Sequence, residues 1–418
     1  MTTPHTGPAL DALDGLSVGD ALGAQFFVPE TARTHLAART EPPGPWPWTD
    51  DTEMACSVYA AHTERGAIDT FDLTHAFAVR HDFDRGYGPA ANRMLRLVRE
   101  GGDAKRLAAE LFDGQGSYGN GAAMRVAPLG AAHADDPDEA VRQAARTAVT
   151  THTHPQAVDG AIAVAVAAAY AVRTRTAAMT PESFLGAVAR HTPPGAVHDG
   201  LAEAIGLLAE PDPRVAAGVL GNGSRTSAAD TVPYALWCAA RRLTDYPAAV
   251  WEAIAAGGDM DTVAAITGGV VAARTGARGI PAAWTAAREP LPGWAFPEPG
   301  SVPDGRGGEG MLVPRPCPVP EVVWTDGQWQ RIRTGSGADA AVHRWRAHTH
   351  EGTLRLCRPG GPARWEVTVA RVRNGWRPVS AVAEAAPTRF PPDADEGPDL
   401  LGRILGDAAD GGRGSLRP

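Results

Sequence analysis

From about residue 9 to residue 290 the apolar positions recur with a helical period. Leu10, Leu13 and Leu16 fall on one face, as do Met94, Leu95 and Val98, the spacing of three and four that lines side chains along one stripe of a helix. Val141–Val149, Ala157–Val172, Val232–Leu243 and Val263–Ala273 each read as helices, and alternation of period two is nearly absent. Pro155, Pro181, Pro193, Pro194 and Pro233 sit where helices are expected to start or stop. The pattern predicts an all-α bundle, rich in alanine, whose small residues let helices approach closely.

The pattern changes between Pro290 and Pro320, where proline and glycine crowd together in the manner of a linker. Beyond it the period becomes two. Val322–Trp324 and Trp329–Arg333 flank Thr325-Asp326-Gly327-Gln328, Trp365, Val367 and Val369 alternate with polar neighbours, and Asn374-Gly375 precedes Trp376, which together predict hairpins. The expected organisation is a helical domain over 1–290, a linker over 291–320, a small β-rich module over 321–383 and a disordered tail over 384–418, with a short helix at Leu400–Leu405.

Composition sharpens this division. Glycine (48) and proline (36) make up about a fifth of the 418 residues, against roughly 12% in average usage. Hydrophobic residues at 44% and a mean hydropathy of -0.20 exclude a wholly disordered chain. The net charge is -9, yet positions 321–380 hold ten Arg against five acids, leaving -14 on the rest. Such a balance argues against coating nucleic acid or an anionic membrane with the whole surface. Nucleic acid is expected to bind, if at all, only through the Arg- and Trp-rich C-terminal module. Met1–Gly15 has no basic residue ahead of an apolar run, and the longest apolar stretch, Ala161–Val172, is too short to span a bilayer. No membrane association and a cytoplasmic location are therefore expected. Cys56, Cys238, Cys317 and Cys357 have no disulfide-framework or zinc-ligand spacing.

Two acidic clusters carry candidate chemistry. Thr49-Asp50-Asp51-Thr52-Glu53 and Gly257-Gly258-Asp259-Met260-Asp261-Thr262 each stand just before an apolar helix. Capping explains one side-chain oxygen at a helix start, but each start here concentrates two carboxylates and at least one hydroxyl. Carboxylates gathered without Lys or Arg repel one another unless a cation neutralises them. Oxygen ligands select a hard ion, magnesium or manganese. If the fold joins the two starts, Thr49, Asp50, Asp51, Asp259, Asp261 and Thr262 suffice for two metals. Tyr118-Gly119-Asn120-Gly121-Ala122-Ala123-Met124-Arg125 is a small-residue loop entering a helix, whose free amides suit a phosphate. Thr151-His152-Thr153-His154-Pro155 sets two imidazoles at a helix entrance.

In order along the chain, Gly19-Asp20-Ala21-Leu22-Gly23, Thr49-Asp50-Asp51-Thr52, Gly119-Asn120-Gly121 with Met124-Arg125, Thr151-His152, Thr231-Val232-Pro233 and Gly257–Thr262 resemble the ADP-ribosylglycohydrolase family, of the dinitrogenase-reductase-activating and ADP-ribosyl-acceptor hydrolase type. The resemblance covers about residues 9 to 280. It implies the family's all-α fold and a binuclear magnesium centre held by Thr49, Asp50, Asp51, Asp259, Asp261 and Thr262. It also implies an ADP-ribose lying against Gly119, Asn120, Gly121 and His152. The reaction implied is hydrolysis at the anomeric carbon, releasing ADP-ribose from a protein side chain or small molecule, with Asp51 and Asp261 doing the proton work. Tyr87 lies in a stretch, Asp82–Gly88, that resembles the family's substrate-facing loop. Phe27 stands where many relatives carry a Glu, and Thr-Ser-Ala-Ala at 226–229 lacks the aromatic that several place near the substrate. The competing expectation is a member of the family that binds ADP-ribose without turning it over.

Overall fold

Two apolar stretches far apart in sequence, Pro8–Ala24 and Met260–Thr275, are both helices, and they cross with backbone against backbone. A Cβ at Gly15 would lie 2.2 Å from the Ala272 Cβ, one at Gly19 2.2 Å from the Ala264 carbonyl oxygen, and one at Gly23 2.5 Å from that of Met260. Glycine every fourth residue clears one helix face, so the pair runs antiparallel at a separation no larger residue allows. The end of the first helix is thereby held against the start of the second, beside Met260 and Asp261.

The computed structural model describes residues 7–100, 102–296, 314–316, 319, 322–329, 346–350, 353–357, 363–372 and 375–384. The chain divides into two units, Met1–Pro299 and Gly300–Pro418. In the first, Pro155–Arg173 forms the central helix, with Ala127–Ala132, Pro137–Ala148, Pro181–His191, Ala228–Arg241 and Met260–Thr275 packed around it. Its length and composition would suit a membrane span, but its apolar residues from Ala157 to Ala171 are mostly buried in this unit. A second apolar cluster, including Met54, Val58, Leu73, Phe77, Met94, Leu95 and Leu129, lies under the helices Asp50–Arg65, Thr70–Arg80 and Pro89–Arg99. Pro233 lies inside the helix Ala228–Arg241 and not at its boundary. Its ring packs where a side chain on Gly200 would otherwise sit, and burial of this helix offsets the one backbone hydrogen bond the proline removes.

The second unit holds a five-stranded antiparallel sheet in the order β1-β5-β4-β3-β2, with β1 Pro314–Pro316, β2 Arg346–His350, β3 Thr353–Cys357, β4 Ala363–Val372 and β5 Gly375–Glu384. Trp365, Val367 and Val369 alternate on the buried face. β1 lies inside the stretch expected to be linker. Its prolines lack an amide to donate, which confines them to an edge strand. The hairpin expected at 325–328 does not form: Asp326–Trp329 make a helical turn, and Trp324 pairs instead with Trp376. Trp324 stacks on Trp329 at 5.9 Å and Trp329 on Trp376 at 5.4 Å, so these rings build a core among themselves. The tail and its expected helix at 400–405 lie outside the described residues.

Candidate metal centre

The helix Asp50–Arg65 starts at Thr49, whose own side chain does not cap it. The orphan amides are met from another helix. Asp20, fully buried on Pro8–Ala24, accepts the Thr49 amide at 3.0 Å, the Thr52 amide at 3.2 Å and the hydroxyls of Thr49 and Thr52 at 2.8 and 2.5 Å. Capping in trans satisfies the helix start and leaves Asp50 and Asp51 with no structural duty there. Asp259 likewise starts the helix Met260–Thr275 without capping it by its side chain. Its Oδ2 accepts instead from the Asn120 amide at 2.6 Å, and that amide also reaches the Thr231 hydroxyl. Gly258, at φ 76, has no room for a Cβ, which would lie 2.3 Å from the Asn222 carbonyl oxygen. The loop over Asp259 therefore closes tightly.

The two acidic helix starts and Asp20 converge. Carboxylate oxygens of Asp20, Asp51 and Asp261 lie within 4.8 Å of one another, and all three residues are buried. Asp51 Oδ2 accepts from the hydroxyls of Thr49 at 3.1 Å and Thr262 at 3.3 Å, while Asp51 Oδ1, equally buried, has no hydrogen-bond partner among the described residues. Among the described residues no Lys or Arg forms an ion pair with Asp20, Asp50, Asp51, Asp259 or Asp261. Burial, opposed by the Thr52 and Thr49 hydrogen bonds, raises Asp20 to about 6. Burial and then the charge of Asp20 push Asp50 to about 8. Asp51 is held well above the usual carboxylate range, first by burial and then by the charges of Asp261 and Asp20, and Asp261 likewise by burial and then by Asp259 and Asp20. An orphaned buried oxygen amid mutually repelling carboxylates and two hydroxyls is a donor set that fits a hard divalent cation.

A cavity of about 340 Å³ opens on these acids. Asp50, Asp51, Asp259, Asp261 and Thr262 form one wall, and Gly119, Asn120, Gly121 and His152 face it. A Cβ on Gly121 would lie 2.9 Å from the His152 ring, so the glycines let the imidazole lie flush against the loop. His152 Nδ1 meets the Thr151 hydroxyl at 2.7 Å, and burial, then the nearby Arg125 charge, lowers it to about 3, which keeps the ring neutral. Arg125 is itself fully buried and donates to the Thr147 carbonyl and to the Thr150 and Thr151 hydroxyls, tying down the turn that carries His152. The half-exposed Phe112 and Tyr118, with Arg225, also line it.

Tyr87 does not line this cavity. It is buried, and its hydroxyl donates to Glu53 at 2.7 Å, because a buried phenol needs a partner. Glu53 also accepts the Asp82 amide at 3.2 Å, so the pair fastens the loop whose Gly86 and Gly88 border the cavity. Arg85 in the same loop forks onto Glu289 at 2.7 and 2.8 Å and lies 3.4 Å over the Trp48 ring. Phe27 is half-exposed and also stands outside the lining. Ser227 caps the helix Ala228–Arg241 by accepting the Asp230 amide. Asp20 was legible only as part of a motif; the overlooked signal is a carboxylate among the apolar and glycine positions of a helix with no basic partner.

A family model described as ADP-ribosylglycohydrolase matches residues 2–296. The chain belongs to the ADP-ribosylglycohydrolase family. It is 30% identical to the ADP-ribosylhydrolase ARH3 of Bos taurus, over 65% of this chain and 86% of the relative. It is 32% identical to the ADP-ribosyl-[dinitrogen reductase] glycohydrolase of Rhodospirillum rubrum, over 36% of this chain and 54% of that protein. A solved structure named ADP-ribosylglycohydrolase-related protein complex matches at 29% identity with a TM-score of 0.46, covering 68% of this chain and 92% of that one.

Proposed function

We propose that this chain is a metal-dependent hydrolase that cleaves the bond from the anomeric carbon of ADP-ribose to a protein side chain or small molecule. The observation that carries the reading is the unpartnered, buried Asp51 Oδ1 set among Asp20 and Asp261 at the floor of a cavity. Thr49, Asp50, Asp51, Asp259, Asp261 and Thr262 would hold magnesium, two ions in full, or manganese, with Asp20 bracing the first helix start. A bound cation of this kind supplies an electrophile and a template for a ribose diol and a water.

The chain's own residues do the rest. Asp51 and Asp261, at the cavity wall beside the proposed cation, are the carboxylates placed to take the proton from water as its oxygen bonds the anomeric carbon. The same proton then goes to the departing group. Asn120 has its amide committed to Asp259, so it positions that acid, while the backbone at Gly119 and Gly121 faces the diphosphate. His152, neutral, contacts the distal ribose as a hydrogen-bonding group and not as a cation. Tyr118 offers an exposed ring on which a base stacks.

The test is release of ADP-ribose from ADP-ribosyl-arginine, ADP-ribosyl-serine and ADP-ribosylated nucleic-acid ends, each with magnesium and with EDTA. Release from at least one, stopped by EDTA, is expected. No release from any, with tight ADP-ribose binding retained, makes this chain a silent, ADP-ribose-binding member of its family.

A further inference from the structure

Away from the acidic cluster, a second pair of metal-ligating side chains meets across the fold. His62 lies in the last turn of the helix Asp50–Arg65 and His133 follows the helix Ala127–Ala132; their Nε2 atoms are 3.0 Å apart. The rings stand nearly perpendicular, at 80°, with centroids 4.8 Å apart. A hydrogen bond strung along both ring axes would put the centroids about 5.4 Å apart, since each ring adds roughly 1.2 Å to the nitrogen separation. The observed spacing is shorter, so the ring axes are tilted off the line that joins the two nitrogens. Rings tilted equally and to the same side would have axes, along which the nitrogen lone pairs point, that cross about 2 Å beyond each Nε2, the length of a zinc–imidazole bond.

The electrostatics agree with the geometry. Burial, then the neighbouring His133, lowers His62 to about 4, and burial lowers His133 as well, so both rings are neutral near pH 7, as a metal ligand must be. Glu139 and Asp136 lie close enough to His133 to favour positive charge beside it.

We propose that His62 and His133 form a binding site for a borderline transition cation, zinc, copper(II) or nickel, chemically separate from the oxygen-only acidic cluster. Imidazole suits such ions, whereas carboxylate and hydroxyl oxygens suit magnesium. The ion joins the far end of the helix that carries Asp50 and Asp51 to the helix Ala127–Ala132, with water filling its remaining positions.

The experiment titrates the full-length, tag-free chain with copper(II) in saturating magnesium and reads electron paramagnetic resonance. The expected result is an ion coupled to two nitrogens, present also in Asp51→Asn. His62→Gln and His133→Gln should each weaken that ion more than about tenfold and remove one coupled nitrogen. Circular dichroism without metal should stay unchanged. Two-nitrogen coupling that survives both substitutions, or its absence from the parent, overturns the site. Should a substituted chain misfold, the parent decides alone: zinc must protect His62 and His133 from diethylpyrocarbonate, mapped by mass spectrometry, and equal labelling with and without zinc rejects the proposal.

Discussion

Helix starts in this fold come in two kinds built from the same residue types. At Asp136, Thr180, Asp212 and Asp245 the side-chain oxygen turns back on its own helix and accepts an amide at 3.0, 3.2, 2.9 and 3.1 Å. At Thr49 and Asp259 it does not. Asp20 caps the first of these helices from outside, and Asp259 turns to Asn120. The difference separates structure from chemistry: a carboxylate that satisfies its own helix stabilises the fold, and one relieved of that duty is free to bind, at the expense of repelling its neighbours.

The strongest test of that distinction is Asp51→Asn. Activity toward a cleaved substrate should fall by about a thousandfold or more. The same change should stabilise the metal-free protein by about 1 kcal/mol, because it removes a buried, repelled charge. Denaturant unfolding in EDTA reads the second effect; a destabilised variant would show that Asp51 belongs with the ordinary caps. Asp20→Ala should behave in the opposite way. It strands two amides and two hydroxyls in the interior, a loss of about 2–4 kcal/mol with or without metal, and unfolding unchanged in both conditions would refute capping in trans.

A third test uses pH. Asp20 at about 6 and Asp50 at about 8 both lie above the ordinary value of 3.8. The folded chain therefore holds protons that the unfolded chain releases, so this part of the stability is fully present below about pH 4 and is lost as pH rises through 6 and 8. Metal-free protein should weaken by up to about 5 kcal/mol from pH 5 to pH 8, and magnesium should restore more at pH 8 than at pH 5. Stability in EDTA that rises over this range would place the acids in ion pairs.

How far the sequence reveals this contrast depends on the range of the contact. Helical periodicity and the small residues along Ala157–Ala171 made the all-α body legible, since both are local. The doubled carboxylates at 50–51 and 259–261 exceeded the needs of a cap, which marked them without the fold. Asp20 was not legible as a cap because its partners lie 29 and 32 residues away. The inward turn of Tyr87 is likewise illegible locally, because Glu53, which takes its hydroxyl, lies 34 positions off. At Thr325–Gln328 the local signal is a capping box and not a hairpin turn: Thr325 Oγ1 accepts the Gln328 amide at 3.2 Å and Gln328 Oε1 accepts the Thr325 amide at 3.0 Å, which starts a helical turn.

The smallest effect makes the sharpest control. Asp136 accepts the Glu139 amide at 3.0 Å, as an ordinary cap does. Its side chain is largely exposed, and its pairing with Arg142 is an exposed one at 3.6 Å, which contributes little. Asp136→Ala should therefore cost only the cap, about 1 kcal/mol, with catalytic rate and magnesium dependence unchanged. Set beside Asp51→Asn, it reverses both signs: stability falls where the other rises, and activity holds where the other is lost. Thermal unfolding with a parallel turnover assay reads the pair. Should Asp136→Ala match Asp51→Asn in either readout, side-chain capping would no longer distinguish the two kinds of helix start.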